Sequence, residues 1–201
     1  MRKETTKERL ERIRAAALSL ASKRDVQSIS MYDISKEAAI SSSTIYHHFP
    51  NIEALMRDLM DLIFRDFEGV LRAAVVESEI KSWHDINRMI ENSFVRYYTD
   101  TPMVQNILFG FHSYSSVRSA DASNDLILGE MVSKIYQRYF VLPELPQHVN
   151  IFAVALQIAD KVYSMDFQDN GGITDVMAEE AVVATEAYLS AYLPRYLPKV
   201  C

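Results

Sequence analysis

The sequence predicts an all-α protein of about nine helices, a small three-helix head on a larger helical body. Three observations predict it. Five glycines and six prolines in 201 residues are about half the usual share of roughly 12%, too few breakers for the many tight turns of an all-β chain. Apolar residues recur three and four apart over long stretches, as in Leu10, Ile13, Ala17 and Leu20, which is the period of one helix face. Cap signals precede these stretches where helices should begin.

The elements follow in order. Thr5 or Thr6 can cap a first helix whose pattern fades near Ser22–Asp25. Ser30-Met31-Tyr32-Asp33 has the form Ser-x-x-acid, in which the serine oxygen accepts from the N3 amide and the acid meets the positive first turn. A short second helix follows, with Ile34 and Ala38 inward, and breaks at Ala39-Ile40-Ser41. Ser41 caps a third helix from Ser42 to about His48, ended by Phe49-Pro50. Asn51 caps a long fourth helix that reaches to about Glu77, with Leu55, Leu59, Leu62, Ile63 and Phe67 on its broad apolar face. Helices are then expected over about Ser82–Thr99, from Pro102, which takes the favoured first helical position, and over about Ala120–Val141. Leu142–Pro146 is a linker, and two last helices, about Gln147–Gln168 and Thr174–Leu193, are split by Asp169-Asn170-Gly171-Gly172. The expected domains are a head over residues 1–50 and a body over residues 51–201, joined by the long helix.

Composition narrows the function classes. The single cysteine, Cys201, excludes a disulfide within the chain and argues against a cysteine-built zinc site. No apolar run approaches the roughly 18–20 residues of a membrane span. The charged start Met1–Arg9 lacks the apolar stretch of a signal peptide. These features lead us to expect a soluble, cytoplasmic protein without membrane contact. No nucleophile–base–orienter set, glycine-rich phosphate loop or chelating histidine spacing is present, so neither an enzyme nor a metal or other cofactor is expected. The adjacent His47 and His48 diverge by about 100° on a helix and cannot easily chelate together.

Charge is uneven. The chain carries −6, yet residues 1–50 carry +3 and the remainder −9. A basic end on an acidic body fits a small head that meets DNA and a body that does not, although chance asymmetry gives the same balance. Two short helices joined by a tight turn, after a longer first helix, form a helix-turn-helix, whose second short helix enters the major groove. Ser42, Ser43 and Thr44 are short hydroxyls suited to bases or phosphates, and Tyr46 and His47 offer ring edges and hydrogen bonds. Arg12, Arg14, Lys23 and Lys36 are cations that can neutralise phosphate. Tyr46 has a second reading, as packing of the third helix on the first. The basic arm Arg2–Arg9 either touches the minor groove or is disordered without DNA.

Ser42-Ser43-Thr44-Ile45-Tyr46-His47-His48-Phe49, within Ser30–Leu55 and followed by Asn51-Ile52-Glu53-Ala54-Leu55, resembles the head of TetR-family transcriptional regulators. The likeness covers about residues 8–56. It implies an all-helical homodimer with a ligand pocket in the body and a dimer bundle from the last two helices. It further implies that Thr44, Tyr46 and His48 touch the DNA backbone, and that Tyr32, Ser42, Ser43 and His47 reach bases. Three positions are notable. Ala39 stands where the family usually has glycine. Ser43 stands where it usually has a small residue. Ile52 stands where it usually has a phosphate-contacting lysine. The expected function is a DNA-binding repressor released from a palindromic operator by a small apolar or amphipathic molecule. The alternatives are a regulator that activates or grips DNA weakly and, remotely, a helical enzyme.

The body is rich in Phe, Tyr and Met. Most of these are core, and a few are expected to line an adaptable pocket; the candidates are Phe94, Tyr97, Tyr98, Phe109, His112 and Met131. The expected dimer stripes are Phe152, Ala155, Leu156, Ala159 and Tyr163 on the penultimate helix and Ala184, Ala187, Tyr188 and Ala191 on the last. Small residues at this spacing let helices approach closely, whether within one chain or between two.

Overall fold

The computed structural model describes the backbone of residues 5–110 and 115–200, and side chains outside residues 110–123. Nine α-helices account for most of the described residues. They are α1 (Thr6–Ala21), α2 (Met31–Ala38), α3 (Ser42–His48), α4 (Ile52–Ala74), α5 (Trp83–Asp100), α6 (Pro102–Gly110), α7 (Ser115–Tyr139), α8 (Ile151–Asn170) and α9 (Asp175–Leu189). Among the described residues the sole β-type pairing is one antiparallel bridge, Phe140 with Lys199. The fold is therefore all-α, as the periodicity and the shortage of breakers require.

The caps form at the expected places. Thr5 caps α1 and closes a box with Glu8, whose carboxylate accepts from the Thr5 amide at 2.8 Å. Ser30 caps α2 in the same way with Asp33. Asn51 Oδ1 accepts from the Ala54 amide at 2.8 Å at the start of α4. Pro102 opens α6. Asn150 caps α8 by accepting from the amides of Phe152 and Ala153, so α8 starts about four residues later than the expected Gln147. Gly171 ends α8 with φ at 73°, a left-handed conformation that glycine adopts without steric cost.

Two compact units result. The first holds residues 1–63 and 101–120, the second residues 64–100 and 121–201, so α4 begins in one and ends in the other. In the first unit α1 packs on α2 and α2 on α3, around the fully buried Ile13, Ile34, Ile45 and Leu55. Helix α6 joins this unit by packing on α1, and Asn106 Nδ2 donates to the Ala21 carbonyl at the C-terminus of α1 at 2.6 Å. An asparagine there satisfies one of the carbonyls that a helix end leaves without an internal partner.

In the second unit α8 and α9 pack along one another, and α5 packs on α9. Buried polar bonds set their register. Asn87 donates to Thr185 Oγ1 at 2.9 Å, and Tyr163 Oη donates to Glu91 at 2.6 Å. Near the surface Arg88 forms a two-pronged bond with Glu179 at 2.6 and 2.8 Å. Helix α7 approaches α8 at Gly129, where a Cβ would lie 2.6 Å from the Ala153 amide nitrogen, so no larger residue fits without a shift. The chain end is tied down. Trp83, fully buried, donates from Nε1 to the Pro194 carbonyl at 3.0 Å, and the Val141 amide donates to Pro198.

Candidate functional site

The turn between α2 and α3 sets the angle of the helix-turn-helix. Ala39 closes α2 in the left-handed region, with φ 50° and ψ 43°. A Cβ in that region crowds the following carbonyl, at a cost of roughly 1–2 kcal/mol. The surroundings hold it there. Its amide donates to Lys36 and the Ile40 amide to Ser35, and Arg12 of α1 donates to the carbonyls of Ala38 and Ala39. Arg12 thus fastens the turn, a role that the sequence reading, which saw only a phosphate cation, missed. Its neighbours are also engaged. Arg14 forms a half-buried two-pronged bond with Asp58 at 2.6 and 2.7 Å, and Lys23 pairs with Glu37 at 3.1 Å. Lys36, the fourth of the cations expected at phosphates, has no ion pair among the described residues. It lies over the Tyr32 ring, 4.6 Å from the centroid.

Helix α3 begins with a hydroxyl cluster. Ser41 Oγ accepts from the Thr44 amide and lies 3.0 Å from Ser43 Oγ and 2.8 Å from Thr44 Oγ1. Ser43 and His47 are exposed, and Thr44 is half-buried. Tyr46 is 52% exposed and Tyr32 59%. That exposure leaves the Tyr46 ring open at the surface rather than enclosed between helices. Ile45, by contrast, is fully buried and anchors α3 to the head core. The structure therefore brings Tyr32, Lys36, Ser43, Tyr46 and His47 to the surface of α2 and α3. Two expected contacts are turned away. Ser42 is half-buried and donates to Ser35 Oγ at 3.1 Å, which ties α3 to α2. His48 is half-buried with its Nε2 enclosed, without a hydrogen-bond partner among the described residues, and its ring meets His47 edge-on at 5.3 Å. Ile52, the first residue of α4, offers no cation beside this surface.

In the body the expected pocket residues separate. Phe94 and Tyr98 are buried, and with Phe67 they form edge-to-face pairs at 5.4 and 5.8 Å. They border a small cavity of only about 10 Å³, with Glu91, Asp125, Asp160 and Tyr163 also in its wall. Space for about one water takes roughly 10–15 Å³, so these rings are core and form no open pocket. Burial pushes the Glu91 carboxyl up to about 7, against the opposing effect of the Tyr163 hydrogen bond. Tyr97 is half-buried and donates to Asp66 at 3.1 Å. Phe109 is buried in α6, within the unit that contains the head. Met131 lines an open groove of the body. His112 lies outside the described residues, as do Met1–Glu4 of the basic arm and Cys201.

The dimer stripe on α8 needs correction. Phe152, Ala155, Leu156, Ala159 and Tyr163 are each at most 7% exposed within one protomer. They form the inner face of α8, and the same spacing that lets helices approach serves packing within the chain. On α9, Ala184 and Tyr188 are half-buried and Ala187 is exposed, while Ala191 lies beyond the helix end. The outward face holds Met165 at 47% exposure and Val176 and Val183 at 72% and 50%. Val183 and Ala187 are four apart, a signal in the sequence that the inward stripe overshadowed.

No group of three or more metal-ligating residues occurs among the described residues. None of the described helices is long and apolar enough to cross a membrane.

An exposed polar helix, held by a tight turn on a three-helix head and followed by an all-helical body, is the architecture of a helix-turn-helix protein. Comparison with known proteins agrees. Residues 13–59 match the family model for bacterial regulatory proteins of the tetR family. No curated protein matches the chain. Among solved structures, a TetR-family transcriptional regulator from Streptomyces coelicolor is 19% identical with a TM-score of 0.72, over 92% of this chain and 100% of that one. One described as a putative TetR-family transcriptional regulator from Mesorhizobium loti is 15% identical at 0.68, over 94% and 100%. A transcriptional regulator from Rhodococcus sp. is 12% identical at 0.70, over 90% and 96%. The head, residues 13–59, thus matches the tetR family by sequence, and the chain as a whole shares the fold of these solved structures.

Proposed function

We propose that the protein is a homodimeric repressor of a palindromic operator, released by a small molecule bound in the body. The observation that carries this is the surface of Tyr32, Lys36, Ser43, Tyr46 and His47 on two helices held by a fastened turn. Ser43 and His47 reach base edges. Tyr46 and Thr44 hold phosphates, and Lys36 adds a cation. The second head comes from dimerisation through the outward faces of α8 and α9, around Met165, Val176 and Val183. A two-fold pair of heads reads half-sites one turn of DNA apart, about 34–36 Å, or a multiple of it.

Release follows from population shift. A ligand that binds better to the conformer with wrongly spaced heads draws the dimer from its operator. Helix α4 is the natural lever, because one continuous helix starts in the head unit and ends in the body unit.

Selection of duplexes from a random library, at two salt concentrations, tests the reading. The expected result is a palindrome bound with steep salt dependence, and loss of at least tenfold in affinity for Tyr46→Ala or His47→Ala. Recovery of no motif by a well-folded dimer would overturn it. The second reading, a weak grip on DNA, is favoured by one observation: Ile52 places no cation at the start of α4.

A further inference from the structure

The body carries an open groove of about 300 Å³ between the last turns of α4 and the second half of α7. It is at the lower end of the size range of ligand pockets, roughly 300–1,000 Å³. Its floor is apolar: Leu71 from α4 and Val75 just past its end, Met131 and Ile135 from α7, with Tyr139 at one end. Leu71 is buried, while Val75, Met131, Ile135 and Tyr139 are half-buried, so apolar surface remains uncovered.

Three of the lining residues are cations, Arg72, Lys134 and Arg138, and none is an acid. That composition runs against the −9 of residues 51–201. The helix period explains the grouping. Met131, Lys134, Ile135, Arg138 and Tyr139 lie at i, i+3, i+4, i+7 and i+8, which puts them on one face of α7. The cations are available. Lys134 has no ion pair among the described residues. Arg72 meets Glu68 at 2.8 Å and Arg138 meets Glu77 at 3.5 Å, but both arginines are about 70% exposed. Exposed pairs of this kind are weak and exchange readily for a better anion.

We propose that this groove binds an amphipathic organic anion, with its apolar chain along Leu71, Val75, Met131 and Ile135 and its carboxylate or phosphate head on Lys134, Arg138 and Arg72. Its role as the effector rests on the reading of the chain as a ligand-released regulator. The ligand would then sit on the body end of α4, the helix that continues into the head.

The test is calorimetric titration of the full chain with dodecanoate below its micelle concentration, beside dodecyltrimethylammonium and butyrate. Dodecanoate should bind, and the cation of equal chain length and the short acid should bind at least tenfold more weakly. The double variant Lys134→Glu/Arg138→Glu should lose at least tenfold in affinity for dodecanoate, since charge-assisted bonds are the strong ones. Met131→Trp, which fills the floor without changing charge, should do the same, so the proposal does not depend on the folding of one variant. No binding of dodecanoate, equal binding of both amphiphiles, or unchanged affinity in both variants would overturn it. A gel shift on the selected operator separates the two readings. If dodecanoate binds the groove but leaves operator affinity unchanged, the site stands and ligand-linked release is what fails.

Discussion

At the level of single residues, Ala39 and Glu91 are each held in a state they would not choose in water. Ala39 is the one described non-glycine residue with positive φ. Ala39→Gly relieves the Cβ clash, and although glycine loses more entropy on folding, a left-handed site favours it. The head should gain about 1 kcal/mol, read as a higher denaturant midpoint at constant slope. Glu91 is 2% exposed, its carboxyl raised by burial to about 7 from 4.5. The groups facing it include Tyr163, Tyr98, Asp125 and Asp160 around the cavity, and Tyr136, whose buried hydroxyl lacks a hydrogen-bond partner among the described residues. A raised carboxyl favours the folded state fully below about 4.5, and that advantage is lost as pH rises to about 7. Glu91→Gln keeps an acceptor for Tyr163 and removes the ionisation. Its stability relative to the natural protein should therefore be higher at pH 8 than at pH 5, by denaturation at each pH. Equal differences at both would show that Glu91 does not ionise in this range.

At the level of elements, helix approach and helix faces decide the body. Gly129 lets α7 close on the Ala153 backbone of α8. Gly129→Ala would force that contact apart and should cost about 1–3 kcal/mol, as overpacking does, despite alanine's better helix propensity. Thermal melts would show it as a lower midpoint. The same helices show how a stripe can mislead. Phe152, Ala155, Leu156 and Ala159 have the spacing of an interface, but they are spent on the protomer's own core. The faces still uncovered are those of Met165 and Val183. Val183→Glu should dissociate the proposed dimer without unfolding the chain, seen as halved mass in sedimentation with unchanged circular dichroism. A dimer that persists would move the interface elsewhere.

At the level of the whole molecule, charge and symmetry would govern the proposed DNA binding. A basic head at +3 on a body at −9 confines attraction to one end. Ile52→Lys adds one phosphate contact per protomer, two per dimer. The slope of log affinity against log salt should then steepen by about 2, with tighter binding at low salt. An unchanged slope would mean that the start of α4 does not reach the backbone.

The sequence by itself determined the element order, most helix ends and the family of the head. These depend on local information: caps at Thr5, Ser30, Ser41 and Asn51, apolar period, and a contiguous motif from Ser42 to Phe49. The resemblance of the head to a family with glycine at that position made Ala39 noticeable before its backbone angles were seen. The tertiary structure alone decided which of several equally spaced faces is covered. It turned Ser42 onto Ser35, committed Arg12 to the turn and Arg14 to Asp58, and packed Phe94 and Tyr98 around a nearly filled cavity. It also placed α6 beside α1 and opened the groove between α4 and α7. Periodicity reports that a face is apolar or a residue charged. What that face or charge meets depends on segments distant in the chain, and that is a property of packing.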